Sequence, residues 1–210
     1  MSATALDLTI KPWVAGLMFA AIMISATFRR RATRRGGRVS RAGEGLALMI
    51  ALRLAALAFV VGMIVWTFDP RSLAWAAVPL PAWLRFTGIG VAFVALGLQC
   101  WMFTSLGHNI TDTVTVRRNA TLVTHGPYRY IRHPLYAFGS VFFMSLVLAT
   151  ANAGLFVVAL LAFQFIGRRT PIEEAQLVAR FGDAYRDYME RTPRYWPRLH
   201  PKPPPRREAP

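Results

Sequence analysis

The sequence predicts an all-α integral membrane protein of about five transmembrane helices, with a further helix on the cytoplasmic side near its C-terminus. Three observations predict this class. Apolar runs close to the length of a bilayer crossing recur along the 210 residues. Arginines gather between these runs far more than within them. The formal net charge of +15 falls almost wholly on alternate loops, which is the asymmetry of membrane topology. A basic balance of this size also raises nucleic-acid binding. Placement at span ends accounts for it, so no nucleic acid is expected as a partner. The one cysteine, Cys100, excludes an intramolecular disulfide and a cysteine-rich metal site.

The first span is Pro12 to Phe28, about 25 Å long as a helix and just sufficient if Thr9 and Ile10 join it. Its arginine cluster follows the apolar run, so it reads as an anchor and not as a cleaved signal. Arg29 to Arg41 is a basic loop that sets topology. Gly45 to Phe68 is the second span, and Arg53 snorkels from within it. Asp69 to Trp83, with Pro70, Pro79 and Pro81, is an interfacial connector that places Trp75 and Trp83 at headgroup level. Leu84 to Leu106 is the third span, and its Gln99 is expected to bond to another helix or to face a pocket.

Gly107 to Arg132 is the longest inner loop. Thr113–Val116 and Thr121–Thr124 are strand-prone and predict a short β-hairpin there. Pro134 to Thr150 and Leu155 to Ile166 are the fourth and fifth spans, turned by Asn152-Ala153-Gly154. Both are short, and Gly139, Ser140, Ala149 and Ala151 favour close helix contact. Thr170 to Glu190 is a helix outside the bilayer core. Thr170 is its N-cap, Pro171 its first residue, and Glu173 completes a capping box. Residues 1–196 make a single domain, with three spans in 1–106 and the remaining elements in 107–196. The basic, proline-rich stretch 197–210 reads as disordered. The N-terminus is expected outside and the C-terminus in the cytoplasm, in the inner membrane if the host is bacterial.

The chemistry concentrates between His125 and Tyr136, a polar and aromatic run at the start of the fourth span. Pro134 suits a first helical turn, because its missing N–H would be unpaired there. His133 is then pushed toward an extended conformation. Arg132 and His133 therefore stand at a helix mouth, which suits a carboxylate or phosphate. Glu174 lies four residues before Val178 and seven before Phe181, on the packing side of the last helix. A carboxylate there needs a cationic partner or a function.

The run Gly126-Pro-Tyr-Arg-Tyr-Ile-Arg-His-Pro-Leu-Tyr136, followed by an apolar hairpin and Glu173-Glu174, resembles the isoprenylcysteine carboxyl methyltransferase and phospholipid methyltransferase family. The resemblance spans Leu106 to Pro197. It implies an integral membrane enzyme that uses S-adenosyl-L-methionine. It implies cofactor-binding roles for Tyr128, Arg132, His133, Pro134, Tyr136, Glu173, Tyr185 and Tyr188, and catalytic roles for Arg169 and Glu174. No metal is implied. The acceptor would be lipid-like or a small amphipathic molecule, met at the headgroup level among membrane lipids. Two other classes stand beside it: a membrane oxidoreductase of the sterol-reductase type using NADPH, and a non-enzymatic assembly protein. No Gly-x-Gly-x-x-Gly fingerprint supports a dinucleotide. The methyltransferase reading rests on one spatial expectation, that Arg132-His133 and Arg169-Glu174 converge on one pocket.

Overall fold

The structure, a computed structural model, describes residues 3–36, 45–109 and 120–197. Six α-helices run in chain order: α1 (Ala3–Gly36), α2 (Leu46–Phe68), α3 (Ala82–Leu106), α4 (Pro134–Thr150), α5 (Ala153–Phe181) and α6 (Asp183–Arg191). Four of them, α1, α2, α3 and α5, are long and apolar enough to cross a membrane, and α4 is a shorter apolar helix. The protein is an integral membrane protein. Large apolar side chains such as Leu54, Leu57, Ile64, Phe93 and Val94 point outward from the bundle, where lipid tails would meet them.

The core explains the helix order. In α1, Leu6, Ile10, Val14 and Leu17 are buried at spacings of four and three, the period of one helix face. They meet Phe59 and Met63 of α2, Ile89 and Ala92 of α3, and Phe142 and Leu146 of α4. The tightest approach is between α3 and α4 at Gly88. A Cβ on Gly88 would lie 2.6 Å from the Ser145 carbonyl oxygen and 2.9 Å from the Ala149 nitrogen. Gly88→Ala is therefore expected to force the two helices apart and to cost about 1–3 kcal/mol. A fall in the thermal midpoint of the detergent-solubilised protein would register it.

An ion pair closes one end of the bundle. Arg85 is buried, its Nη2 donates to Asp7 Oδ1 at 2.6 Å, and its Nε donates to the Ala149 carbonyl at 2.8 Å. One guanidinium thus ties together α1, the start of α3 and the end of α4. Nearby, Ala151 takes a left-handed conformation at φ 53° and ends α4. Asn152 caps α5 by accepting from the Leu155 N–H at 3.1 Å, and its Nδ2 donates to the Leu73 carbonyl in the short 3-10 helix Pro70–Ala76. Trp75 of this short helix and Trp83 at the start of α3 are exposed, as an interfacial belt requires.

Three expectations are corrected. The first span does not begin at Pro12; α1 starts at Ala3 and carries Pro12 inside it. Prolines are tolerated within membrane helices where neighbours compensate. The fifth span and the last helix are not separate pieces. α5 runs unbroken for 29 residues through Arg168, Arg169, Thr170 and Pro171. Thr170 is no N-cap, because its hydroxyl donates back to the Ile166 carbonyl at 2.9 Å, and the capping box with Glu173 does not form. The break comes later, at Gly182, whose φ of 59° admits the turn into α6. Most of the expected β-hairpin, Thr113 to Asn119, lies outside the described residues, and Thr121–Thr124 forms no strand. Arg38, Arg41 and residues 198–210 lie outside them too.

Candidate functional site

Local backbone chemistry builds the site. His133 precedes Pro134 and is held out of the helical region, at φ −120° and ψ 61°. The N–H groups of Arg132 and His133 are thereby left without helical partners. A strap that follows α6 supplies them: Arg132 N donates to the Pro193 carbonyl at 2.8 Å and His133 N to the Arg194 carbonyl at 3.0 Å. The chain end is thus folded back on the start of α4.

Glu174 is the hub of this joint. It is buried on α5 and accepts from Arg132 Nε at 3.0 Å and Arg132 Nη2 at 2.8 Å. His133 Nε2 lies 3.1 Å from the same oxygen. Arg194 comes from the strap, with Nη2 2.7 Å and Nε 3.0 Å from the other oxygen. Arg132 also donates through Nη1 to the Met189 carbonyl at 2.9 Å and to the Thr192 carbonyl. At most one of its five N–H groups is left for a ligand. The two residue pairs therefore converge, but Glu174 and Arg132 spend themselves on each other and on the strap. They hold the site together more than they face it.

The cavity beside this joint has a volume of about 790 Å³, within the range of roughly 300–1,000 Å³ typical of small-molecule sites. From the loop and α4 it is lined by Tyr128, Arg132, His133 and Tyr136. Arg169, Glu173, Tyr185 and Tyr188 line it from α5 and α6. Eight of the ten predicted residues thus share one cavity. Pro134 and Glu174 do not line it; both are buried behind the wall. Glu173, expected to be a cap, instead faces the cavity and accepts from Tyr136 OH at 2.6 Å. The His133 ring stacks on Tyr136 with centroids 5.6 Å apart and planes 14° apart.

The tyrosines are fixed as donors. Tyr188 OH donates to the Tyr128 carbonyl at 2.6 Å, and the Tyr185 and Tyr188 rings lie 5.8 Å apart. Burial pushes the phenol pKa values of Tyr128, Tyr185 and Tyr188 well above the usual range. The charge of Glu173 adds to this at Tyr128, and that of Glu174 at Tyr185. All three phenols stay protonated at neutral pH.

The remaining walls come from the first three helices. Met18, Ile22, Leu52, Ala56 and Val60 make an apolar surface, and Arg29, Arg53 and Gln99 lie on the same side. Sequence reasoning did not bring Arg53 to this cavity, and it left Gln99 between a helix contact and a pocket; both line the cavity. It brought neither Arg194 nor Tyr195 to the site. Tyr195 OH in fact donates to Thr170 Oγ1 at 2.6 Å. The available signal was a charge and an aromatic placed shortly after the helix that carries Tyr185 and Tyr188. Arg129 and Tyr130 do face outward.

Known proteins resemble this chain. The pattern of the Isoprenylcysteine carboxyl methyltransferase (ICMT) family matches residues 88–179. Protein-S-isoprenylcysteine O-methyltransferase of Mus musculus is 33% identical over 133 residues, covering 60% of this chain and 46% of that protein. Its counterpart in Schizosaccharomyces pombe is 31% identical over 108 residues, covering 49% of this chain and 46% of that protein. The cobalt-zinc-cadmium resistance protein CzcN of Cupriavidus metallidurans is 28% identical over 141 residues, covering 67% of this chain and 60% of that protein. The chain thus spans about half the length of the methyltransferase relatives it matches. A solved structure of the eukaryotic intramembrane Ras methyltransferase ICMT superposes with a TM-score of 0.52 at 22% identity, covering 89% of this chain and 69% of that one. At that identity the likeness is one of fold.

Proposed function

We propose that this chain, which belongs to the isoprenylcysteine carboxyl methyltransferase family through residues 88–179, is an S-adenosylmethionine-dependent methyltransferase acting on the carboxylate of a lipid-like acceptor. The observation that carries the reading is a single cavity with two unlike walls. One wall, from α4, α5 and α6, is aromatic and holds Glu173. The other, from α1, α2 and α3, is mostly apolar and carries arginines. A water-soluble cofactor suits the first and an acyl or prenyl tail suits the second.

The residues fit the cofactor. Among the described residues Glu173 is the one acidic side chain lining the cavity, and it suits the cofactor's cationic groups. Tyr136, Tyr185 and Tyr188 offer faces for the adenosine, and Arg169 suits its carboxylate. The cofactor, once bound, supplies an electrophilic methyl group on a sulfonium. The side chains are asked chiefly to orient. Bringing nucleophile and methyl to about 3–3.5 Å in line supplies most of the acceleration. An acceptor carboxylate carries no proton to remove, so no general base is required. The tyrosines that line the cavity exclude water around the reacting groups.

The orientation follows from charge. Placing the basic end of α1 and the loop before α4 in the cytoplasm puts the cavity at the cytoplasmic headgroup level, with the N-terminus outside. The test uses purified protein in detergent. Radiolabelled S-adenosylmethionine should bind, and label should pass to N-acetyl-S-farnesylcysteine as a base-labile ester. Absence of cofactor binding by the wild type would sink the proposal.

A further inference from the structure

Gln99 sits in the middle of a membrane helix with a side-chain nitrogen that is buried and has no hydrogen-bond partner among the described residues. Its side chain also lines the cavity, four residues before Phe103, which lines it too. A buried amide N–H2 without a partner is costly, and lipid gives it nothing to bond. An apolar residue would serve packing better at this position. The amide's terminal torsion is broad, so a modest rotation turns the N–H2 toward the cavity.

The surroundings say what would meet it. The part of the lining contributed by α1, α2 and α3 contains Ser25, Arg29, Arg53 and Gln99 and no acidic side chain. This wall is rich in donors and lacks a charged acceptor. A ligand head that only accepts hydrogen bonds, such as an ionised carboxylate, matches it. A cationic amine head does not.

We infer that Gln99 is a positioning residue for the methyl acceptor, donating from its amide to an oxygen of the acceptor's head and leaving the cofactor wall untouched. This rests on the methyltransferase reading and goes beyond it by naming the residue that selects the acceptor. Gln99 lies on α3, whereas the cofactor wall is built from α4, α5 and α6. The two ligands are therefore separable by mutation.

The experiment compares wild type, Gln99→Leu and Gln99→Glu in detergent, with S-adenosylmethionine and N-acetyl-S-farnesylcysteine as probes. Gln99→Leu should raise the acceptor KM about tenfold, leave the KM for S-adenosylmethionine within about twofold, and leave the ligand-free thermal midpoint equal or higher. Gln99→Glu, which replaces the donor by a like charge, should raise the acceptor KM further. A lowered midpoint with an unchanged acceptor KM overturns the inference, because it marks Gln99 as bonded to a neighbouring helix. If the wild type binds the probe without turnover, the methyltransferase reading falls separately. In that case the probe should raise the midpoint of the wild type and not of Gln99→Leu. Equal stabilisation of both, or of neither, overturns the inference.

Discussion

Glu174→Gln is expected to lower the thermal midpoint by on the order of 10 °C, from a loss of about 3–5 kcal/mol. The substitution keeps the shape and removes the charge. Arg132, with a side chain only 7% exposed, would then be a buried cation facing a neutral amide. Water cannot reach it well enough to compensate. The backbone pairing of residues 132–133 with 193–194 depends on the same joint, so the strap should loosen with it. Cofactor affinity should fall as a consequence, since His133 and Tyr136 are stacked on this corner.

Arg194→Ala separates this account from one in which every ion pair counts equally. Arg194 shares the same carboxylate, yet its side chain is 48% exposed. Its loss removes a half-solvated partner and leaves Arg132 in place, so about 1 kcal/mol or less is expected. Thermal denaturation of the two variants side by side checks the ranking. Equal losses would mean that the strap, and not the buried charge, carries the energy.

The fold was legible because most of the apolar runs approach the length of a membrane crossing and the arginine clusters mark the ends of runs. Pro134 and His133 were legible for a local reason, since proline acts on itself and on its predecessor alone. The boundary between the last span and the last helix was not. Thr170-Pro171 carries the local signal of a helix start, but within a bundle Thr170 is buried and bonds backward to Ile166. Tertiary packing overrode a capping preference worth about 1 kcal/mol. Gly182, flanked by Phe181 and Asp183, was the better marker, and it needed only the glycine's tolerance of positive φ. The convergence of Arg132 and Glu174 was legible from the demand that a carboxylate on a packing face find a cation. The division of labour between the two glutamates was not. Adjacent positions on a helix point about 100° apart, and sequence alone assigns neither direction to the cavity.

That division makes Glu173→Gln the complementary experiment. Tyr136 OH donates to Glu173 at 2.6 Å, and a glutamine carbonyl oxygen accepts the same bond. The fold should therefore hold, with a thermal midpoint within a few degrees of wild type. What is lost is the negative charge that the cavity offers to the cofactor's sulfonium and ammonium. A hydrogen bond or contact with a charged group is worth about 1.5–3 kcal/mol, so S-adenosylmethionine affinity should fall roughly 10- to 150-fold. The acceptor KM should change far less. S-adenosylhomocysteine, which lacks the sulfonium charge, should lose less affinity than S-adenosylmethionine, because only the ammonium then misses the carboxylate. Equilibrium binding of both ligands to wild type and Glu173→Gln measures the difference directly. An equal loss for the two would place the sulfonium away from Glu173. No loss for either would return the cofactor's cation to another part of the cavity, and Glu173 would then serve only to hold Tyr136 against His133.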